Sequence, residues 1–180
     1  MTAPADAADV AWRSLARCSD SVVLIDGRSG AGKTTFARHV AARARSEGVP
    51  VFVVSLDTIY PGWGGLEEAS RMVPALIRER VFPVWDWGRA CACAHVALPR
   101  VPLIVEGCGA VSRESVALAQ ASVWIDGDAV QRRERAVGRD GASLAEHWDM
   151  WARQEDAHVA RHAPDTLANV CVSGFCSRSR

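Results

Sequence analysis

Short aliphatic and β-branched runs alternate with longer amphipathic stretches from one end of the chain to the other. Five runs, at 22–26, 51–55, 101–105, 122–125 and 170–173, are apolar without a polar alternate, the pattern of strands covered on both faces. Between them, 34–47 places Phe36, Ala37, Val40, Ala41 and Ala44 on one helical stripe and stops at Gly48, with Pro50 two residues on. Asp128-x-x-Gln131 and Ser143-x-x-Glu146 have capping-box form and predict two later helices. The second runs to about 162, before Pro164, and carries Leu144, Trp148, Trp151, Ala152 and Val159 along one face. The stretch 66–80 also reads as helix, with a kink or break at Pro74. The first twenty residues fit a short helix using Val10, Trp12, Leu15 and Ala16, and 176–180 reads as a frayed tail. Strand and helix in alternation predict one α/β domain over 1–180 with a parallel sheet.

Composition narrows the possible partners. Twenty-one basic and 21 acidic side chains cancel in 180 residues, so no general cationic field is available for nucleic acid or an anionic membrane. Any polyanion must meet a local site. The N-terminal segment carries Asp6, Asp9, Arg13 and Arg17 and no apolar run of signal-peptide length, and no later stretch reaches about 18 apolar residues. A soluble, cytoplasmic chain with reduced cysteines is expected. Cys91-x-Cys93-x-His95 lies in an Ala-rich segment. On a helix, positions 91 and 93 point about 200° apart, so these thiols are expected to pack as small buried hydrophobes instead of holding a metal. Seven Trp against four Phe and one Tyr is an unusual balance.

The chemistry is most legible at Gly27-Arg28-Ser29-Gly30-Ala31-Gly32-Lys33-Thr34, which fits G-x-x-x-x-G-K-[ST] between a strand and an amphipathic helix. Backbone N–H groups of such a loop, Thr35 included, turn toward phosphate oxygens at a helix N-terminus. Lys33 is expected to reach the β- and γ-phosphates of ATP, and the Thr34 hydroxyl to ligate Mg²⁺. The second strand run ends in Leu56-Asp57-Thr58-Ile59-Tyr60 and the third in Val105-Glu106-Gly107. Both put a carboxylate at the strand ends where ligands sit in open α/β sheets. Arg132, Arg135 and Arg139, spaced by three and four, share a helix face from which a γ-phosphate is within reach. Asp57 as a helix cap, Glu106 as a structural acceptor and the arginines as a solvated face are the bland alternatives.

Taken together, GRSGAGKT at 27–34, LDTIY at 56–60, PVWDW at 83–87, IVEG at 104–107 and R-x-x-R-x-x-x-R-D at 132–140 resemble, in order, the uridine kinase-like group of P-loop nucleoside kinases. The resemblance covers about residues 20–175. It implies a five-stranded parallel sheet of order 2-3-1-4-5 with helices on both faces and a small lid. It implies further that Asp57 is the general base, that Tyr60 and the aromatic residues of PVWDW line the acceptor pocket, and that Arg132, Arg135 and Arg139 are lid arginines. In that order Asp57 lies about 10 Å sideways from the P-loop strand, room for a γ-phosphate and an attacking hydroxyl. Glu106 stands between them, fit to hold a metal-bound water, and Asp57 is a further candidate metal ligand.

The chain also departs from the family. Trp87 is followed by Gly88, Arg89 and Ala90 where the family has a His and then an Arg that read the nucleoside, and only Gly141 and Ala142 separate Asp140 from the next cap. Pro61-Gly62-Trp63 suggests a tight turn presenting an indole, so Trp63, Trp85, Asp86, Trp87, Tyr60 and Glu106 are the candidate acceptor residues. The expected activity is ATP- and Mg²⁺-dependent phosphorylation of a small-molecule hydroxyl, most simply on a nucleoside. A nucleoside monophosphate or other metabolite as acceptor, and a nucleotide-binding module or ATPase without acceptor chemistry, remain the alternatives.

Overall fold

The computed structural model describes residues 2–173, and the tail expected at 176–180 lies outside them. In chain order the elements are α1 (Pro4–Leu15), β1 (Val22–Gly27), α2 (Lys33–Ser46), β2 (Phe52–Ser55), a 3₁₀ turn (Leu56–Thr58), α3 (Leu66–Glu79), β3 (Val81–Asp86), β4 (Cys91–Ala97), β5 (Leu103–Glu106), α4 (Arg113–Val116), β6 (Ala121–Asp126), α5 (Ala129–His162), α6 (Pro164–Leu167) and β7 (Val170–Ser173). Five strands form a parallel sheet in the order β2-β5-β1-β6-β7. Counting those five alone, this is the expected 2-3-1-4-5.

The central strand explains the layering. Its side chains alternate, so Val23 and Ile25 join α1 and α2 in one core cluster while Val22 and Leu24 join α3 and Trp151 in the other. Val23, Leu24 and Ile25 have no solvent exposure, each contributing about 1.5–3 kcal/mol by burial. The two edge strands depart from the two-sided burial expected of them: β7 leaves Ser173 exposed and Cys171 half-buried, and β2 departs further. In β2, Phe52 is 37% exposed.

Helix boundaries follow the caps with two exceptions. The Asp128 side chain accepts from the Gln131 N–H at 3.0 Å and opens α5. The break between the two expected helices falls at Gly141, whose φ of 71° and ψ of −153° lie outside helical values, and not at Ser143. α3 continues through Pro74. In α1 the buried face is Ala7, Ala8, Ala11, Ser14 and Leu15, and Val10, expected inside, is exposed. No helix among the described residues is long and apolar enough to cross a membrane.

An antiparallel hairpin of β3 and β4 occupies 81–97, so Cys91 and Cys93 lie on a strand and not on the helix against which their spacing was weighed. The register shift between Val84 and Trp85 pairs Asp86 with Cys91 but Pro83 with His95. Partners across a ladder share a face, and residues 83 and 86 lie on opposite faces, so Cys91 and His95 do too. The thiols of Cys91 and Cys93 are exposed, contrary to the burial expected of them. Ala-rich composition misleads here because pairing with β3 overrides a weak helical preference.

Asp26 fixes the strand end at which the fold opens into the loop of 27–34. It is 1% exposed, and its Oδ1 accepts from Gly27 N at 2.6 Å and Gly109 N at 3.0 Å while Oδ2 accepts from Val111 N at 2.8 Å. One carboxylate thus ties the loop after β1 to the loop after β5. Asp26→Asn turns an acceptor into a donor against those N–H groups. It is expected to lose about 2–3 kcal/mol of unfolding free energy in urea, with the m-value unchanged.

Candidate active site

The loop from Gly27 to Gly32 leaves β1 and delivers the chain to α2, whose first residue is Lys33. Its turn depends on Gly30 at φ 75°: a Cβ there would stand 2.0 Å from the backbone oxygen of Arg132. Ala31 is fully buried beneath the loop, whereas Ser29, Gly30, Gly32, Lys33, Thr34 and Thr35 line a small cradle. The Lys33 ammonium is 9% exposed and donates to Arg28 O and Cys108 Sγ, each at 3.2 Å. Burial works against its charge, and the acidic groups around it, Cys108, Glu155, Glu106 and Asp57, more than offset that and raise its pKa. Burial also pushes the Cys108 thiol up to about 12. It is therefore neutral near pH 7, and the three carboxylates carry the balance.

β5 brings Glu106 beside this cradle. In the parallel register Ile25 faces Glu106, and Glu106 faces Ser55 of β2 in turn. The Thr34 hydroxyl donates to the Glu106 carboxylate at 3.2 and 3.3 Å. Hydroxyl and carboxylate are hard oxygen donors of the kind Mg²⁺ takes, with phosphate and water completing the shell. Burial raises the pKa of Glu106, opposed by Lys33 and by hydrogen bonds from Ser55 and Thr34. Asp57, in the turn after β2, is exposed to the same cradle.

A second cavity, of about 300 Å³, opens next to the first and is walled by Tyr60, Trp63, Trp87, Leu144 and Trp151. Tyr60 meets Trp151 edge-on at 4.8 Å between ring centres, and Trp63 meets Trp87 at 5.1 Å. One face of Trp63 is stacked on His147 at 4.5 Å and 7°. The Tyr60 hydroxyl donates to Cys108 O at 2.8 Å, and burial holds its pKa above the ordinary value, so it shapes the wall as a neutral phenol. The Trp87 indole N–H donates to Asp57 O at 2.8 Å and ties the hairpin to the turn that carries the carboxylate. Ser29, Asp57 and Arg139 line both cavities.

Several expected residues stand elsewhere. Trp85 and Asp86 do not line the aromatic cavity. Asp86 Oδ1 accepts from Gly88 N and Arg89 N and closes the hairpin turn. Arg132 is 7% exposed with its guanidinium spent on Gly127 O at 3.0 Å and Ser29 O at 3.1 Å, so it braces the loop from behind. Arg135 donates to Gln131 O on its own helix. Of the three arginines only Arg139 lines the cradle, paired with Asp140 through two contacts of 2.7 Å. The Arg28 side chain turns to α5, 2.6 Å from Asp156.

One residue of the site, Glu155, belongs to none of the motifs that mark the site in the sequence. It is 4% exposed, and its Oε1 accepts from Ser29 N at 2.7 Å and Trp151 Nε1 at 3.0 Å. His158 and His162, further along the same helix, are buried too, whereas Arg161 pairs with Glu67 at the surface. The signal was present in the spacing, since Leu144, Trp148, Trp151, Glu155, His158 and His162 continue one stripe at intervals of three and four. Trp151 was expected in the core and lies there, but it also walls the cavity.

No family profile and no curated protein matches the chain. Among solved structures it is similar to one described as a possible uridine kinase from Bacillus stearothermophilus, with 18% identity over 93% of this chain and 98% of that one and a TM-score of 0.63. It is equally similar, at a TM-score of 0.63, to a protein from Silicibacter sp. TM1040 provisionally described as a fructose transport system kinase, with 20% identity over 95% of this chain and 99% of that one. The chain shares the fold of these two proteins.

The raised pKa of Glu106 has a measurable consequence. A group that holds its proton more tightly folded than unfolded contributes stability below its unfolded pKa and loses it as pH rises through the folded value. Gln has no such loss. In the absence of nucleotide, the urea midpoint of Glu106→Gln is expected to rise relative to that of the parent chain as pH increases from the unfolded carboxylate's range, about 4, through the higher folded value.

Proposed function

We propose that the chain is an ATP-dependent kinase that phosphorylates a hydroxyl of a nucleoside or nucleoside-like compound. The observation that carries this reading is the junction of the two cavities, where Asp57, Ser29 and Arg139 line both the phosphate cradle and the aromatic pocket. A triphosphate in the cradle would present its γ-phosphorus at the mouth of the pocket. The Asp57 carboxylate accepts the proton of the acceptor hydroxyl as its oxygen bonds to the γ-phosphorus, and the bond to the β–γ bridging oxygen breaks to release ADP. Lys33 and Arg139 neutralise charge on the transferred group, the main task in a loose phosphoryl-transfer transition state. Mg²⁺, held through Thr34 and Glu106, supplies further charge neutralisation when bound.

The pocket's chemistry supports an uncharged, flat acceptor. Three indoles and a phenol offer stacking surface, and the one cation among the lining residues, Arg139, is the one assigned to the transferred phosphoryl group. A nucleoside monophosphate would need cations free for a second phosphate, so it is the weaker reading. Arg132 and Arg135, spent on backbone carbonyls, do not supply them.

Two outcomes test the reading. Asp57→Asn is expected to lower acceptor-dependent ADP release by about 10²–10⁴-fold with ATP affinity retained. A nucleotide-binding module without acceptor chemistry requires no change. Across a panel of nucleosides, nucleoside monophosphates and hexoses, Trp87→Leu is expected to raise KM for the preferred nucleoside by roughly tenfold, from the ~1–3 kcal/mol of a stacked base, while Trp85→Leu leaves it unchanged. Release of ADP with hexoses alone would move the assignment to a sugar kinase.

A further inference from the structure

Away from both cavities, the last two turns of α5 carry two buried imidazoles that the phosphate chemistry does not use. His158 and His162 are 3% and 9% exposed, four residues apart on one helix face, with ring centres 4.8 Å apart. Nδ1 of each is buried without a hydrogen-bond partner. The His158 Nε2 lies 3.0 Å from Val111 O, and a carbonyl only accepts, so Nε2 carries a proton and, in the neutral imidazole, Nδ1 presents a lone pair. Two unsatisfied nitrogens at one place are costly inside a protein unless something bridges them.

The third group comes from the first turn of α3. Glu67 offers a carboxylate oxygen that, with one nitrogen from each histidine, forms a triad whose atoms all lie within 4.8 Å of one another. Its Oε1 is engaged by Arg161 and by Arg71 at 2.9 Å, which leaves Oε2 as the ligand atom. Glu114 Oε2 stands 3.9 Å from His162 Nδ1, in reach of a fourth position. A cavity of about 340 Å³ lined by Glu67, Glu114 and His162 gives access from solvent.

We infer that His158, His162 and Glu67 form a zinc site clasping the start of α3 to the end of α5. Two histidines at i and i+4 on a helix with a carboxylate from a second element are a donor set that favours Zn²⁺ over Mg²⁺, which prefers oxygen alone. Tetrahedral ligands at about 2.0–2.2 Å from the ion stand about 3.3–3.6 Å apart, so binding draws the farthest atoms of the triad together by up to about 1.5 Å. The outer contacts of a bound histidine are already in place, because His158 Nε2 faces Val111 O and, at 3.7 Å, Asp26. Through Asp26 the clasp abuts the residue that fixes the start of the phosphate loop, Gly27. Arg71 and Arg161 oppose the ion's charge, and Glu67, Glu114 and Asp26 outweigh them. The inference does not rest on the proposed kinase activity, and its test contains neither nucleotide nor acceptor.

The test is Zn²⁺ titration of the full-length, chelator-stripped chain against a chromophoric chelator. Cys18, Cys91 and Cys93 are changed to Ser so that these exposed thiols do not compete. One equivalent is expected, together with a rise in the thermal midpoint. Both are lost or weakened at least about tenfold in Glu67→Gln and in His162→Gln, and Co²⁺ in place of Zn²⁺ should show d–d bands without thiolate charge transfer. Should His162→Gln fail to fold, Glu67→Gln decides, because that side chain is partly exposed and its loss opens no core. No stoichiometric uptake by the stripped chain, or uptake equal in the parent and Glu67→Gln, would overturn the site.

Discussion

The parallel pairing of β1 with β5 is the constraint on which the rest of the site depends. It sets Ile25 opposite Glu106, so the chain leaves one strand into the phosphate loop at the level where the other presents its carboxylate. Pairing of β2 on the far side of β5 sets Ser55 opposite the same Glu106 and brings Asp57 around the next turn. A slip of one residue would turn every alternate side chain to the other face and separate these groups. The register is held by Val22, Leu24, Val23 and Ile25, which bury on opposite sides of the sheet, and by Asp26, whose carboxylate gathers N–H groups from both loops.

That geometry creates a charge problem which the fold resolves locally. An ammonium as buried as Lys33 is strongly disfavoured unless paired, and Glu106 and Glu155 are buried carboxylates with the complementary need. Each stabilises the other without a triphosphate. Glu155 also occupies the Ser29 N–H, so the loop holds its shape against a carboxylate before any phosphate arrives. In the proposed reaction a nucleotide would exchange one set of anionic partners for another inside a loop already formed, and its binding energy would not be spent on folding that loop.

Helix α5 links the two halves of the site. Before Gly141 it carries Arg132, which braces the phosphate loop, and Arg139, which faces the cradle. After Gly141 it carries Leu144 and Trp151 into the aromatic wall and Glu155 under the loop. A residue with φ of 71° at the break lets one continuous segment contact both cavities in two directions. Trp87 makes a comparable link from the hairpin, since its indole both walls the pocket and holds the backbone of Asp57.

Local patterns determined a good deal on their own. Five buried runs, the glycine-rich loop between strand and helix, and carboxylates at Asp57 and Glu106 are set by side-chain periodicity and by backbone conformations that few residues adopt, and these act over a handful of neighbours. What only the tertiary structure decided depends on partners distant in sequence. The hairpin at 81–97 forms because β3 and β4 pair, which alanine-rich composition hides. Which arginine faces the cradle follows from carbonyls at Ser29 and Gly127 that take up Arg132 first. Trp85 and Trp87, two residues apart, are separated by whether the chain beyond the strand turns back over Asp57. Glu155, His158 and His162 are polar side chains on an apolar stripe, and their burial is tolerable only because the loop after β1, the loop after β5 and the start of α3 converge on that face. Charge compensation of this kind is a property of the assembled site, and no window of neighbouring residues contains it.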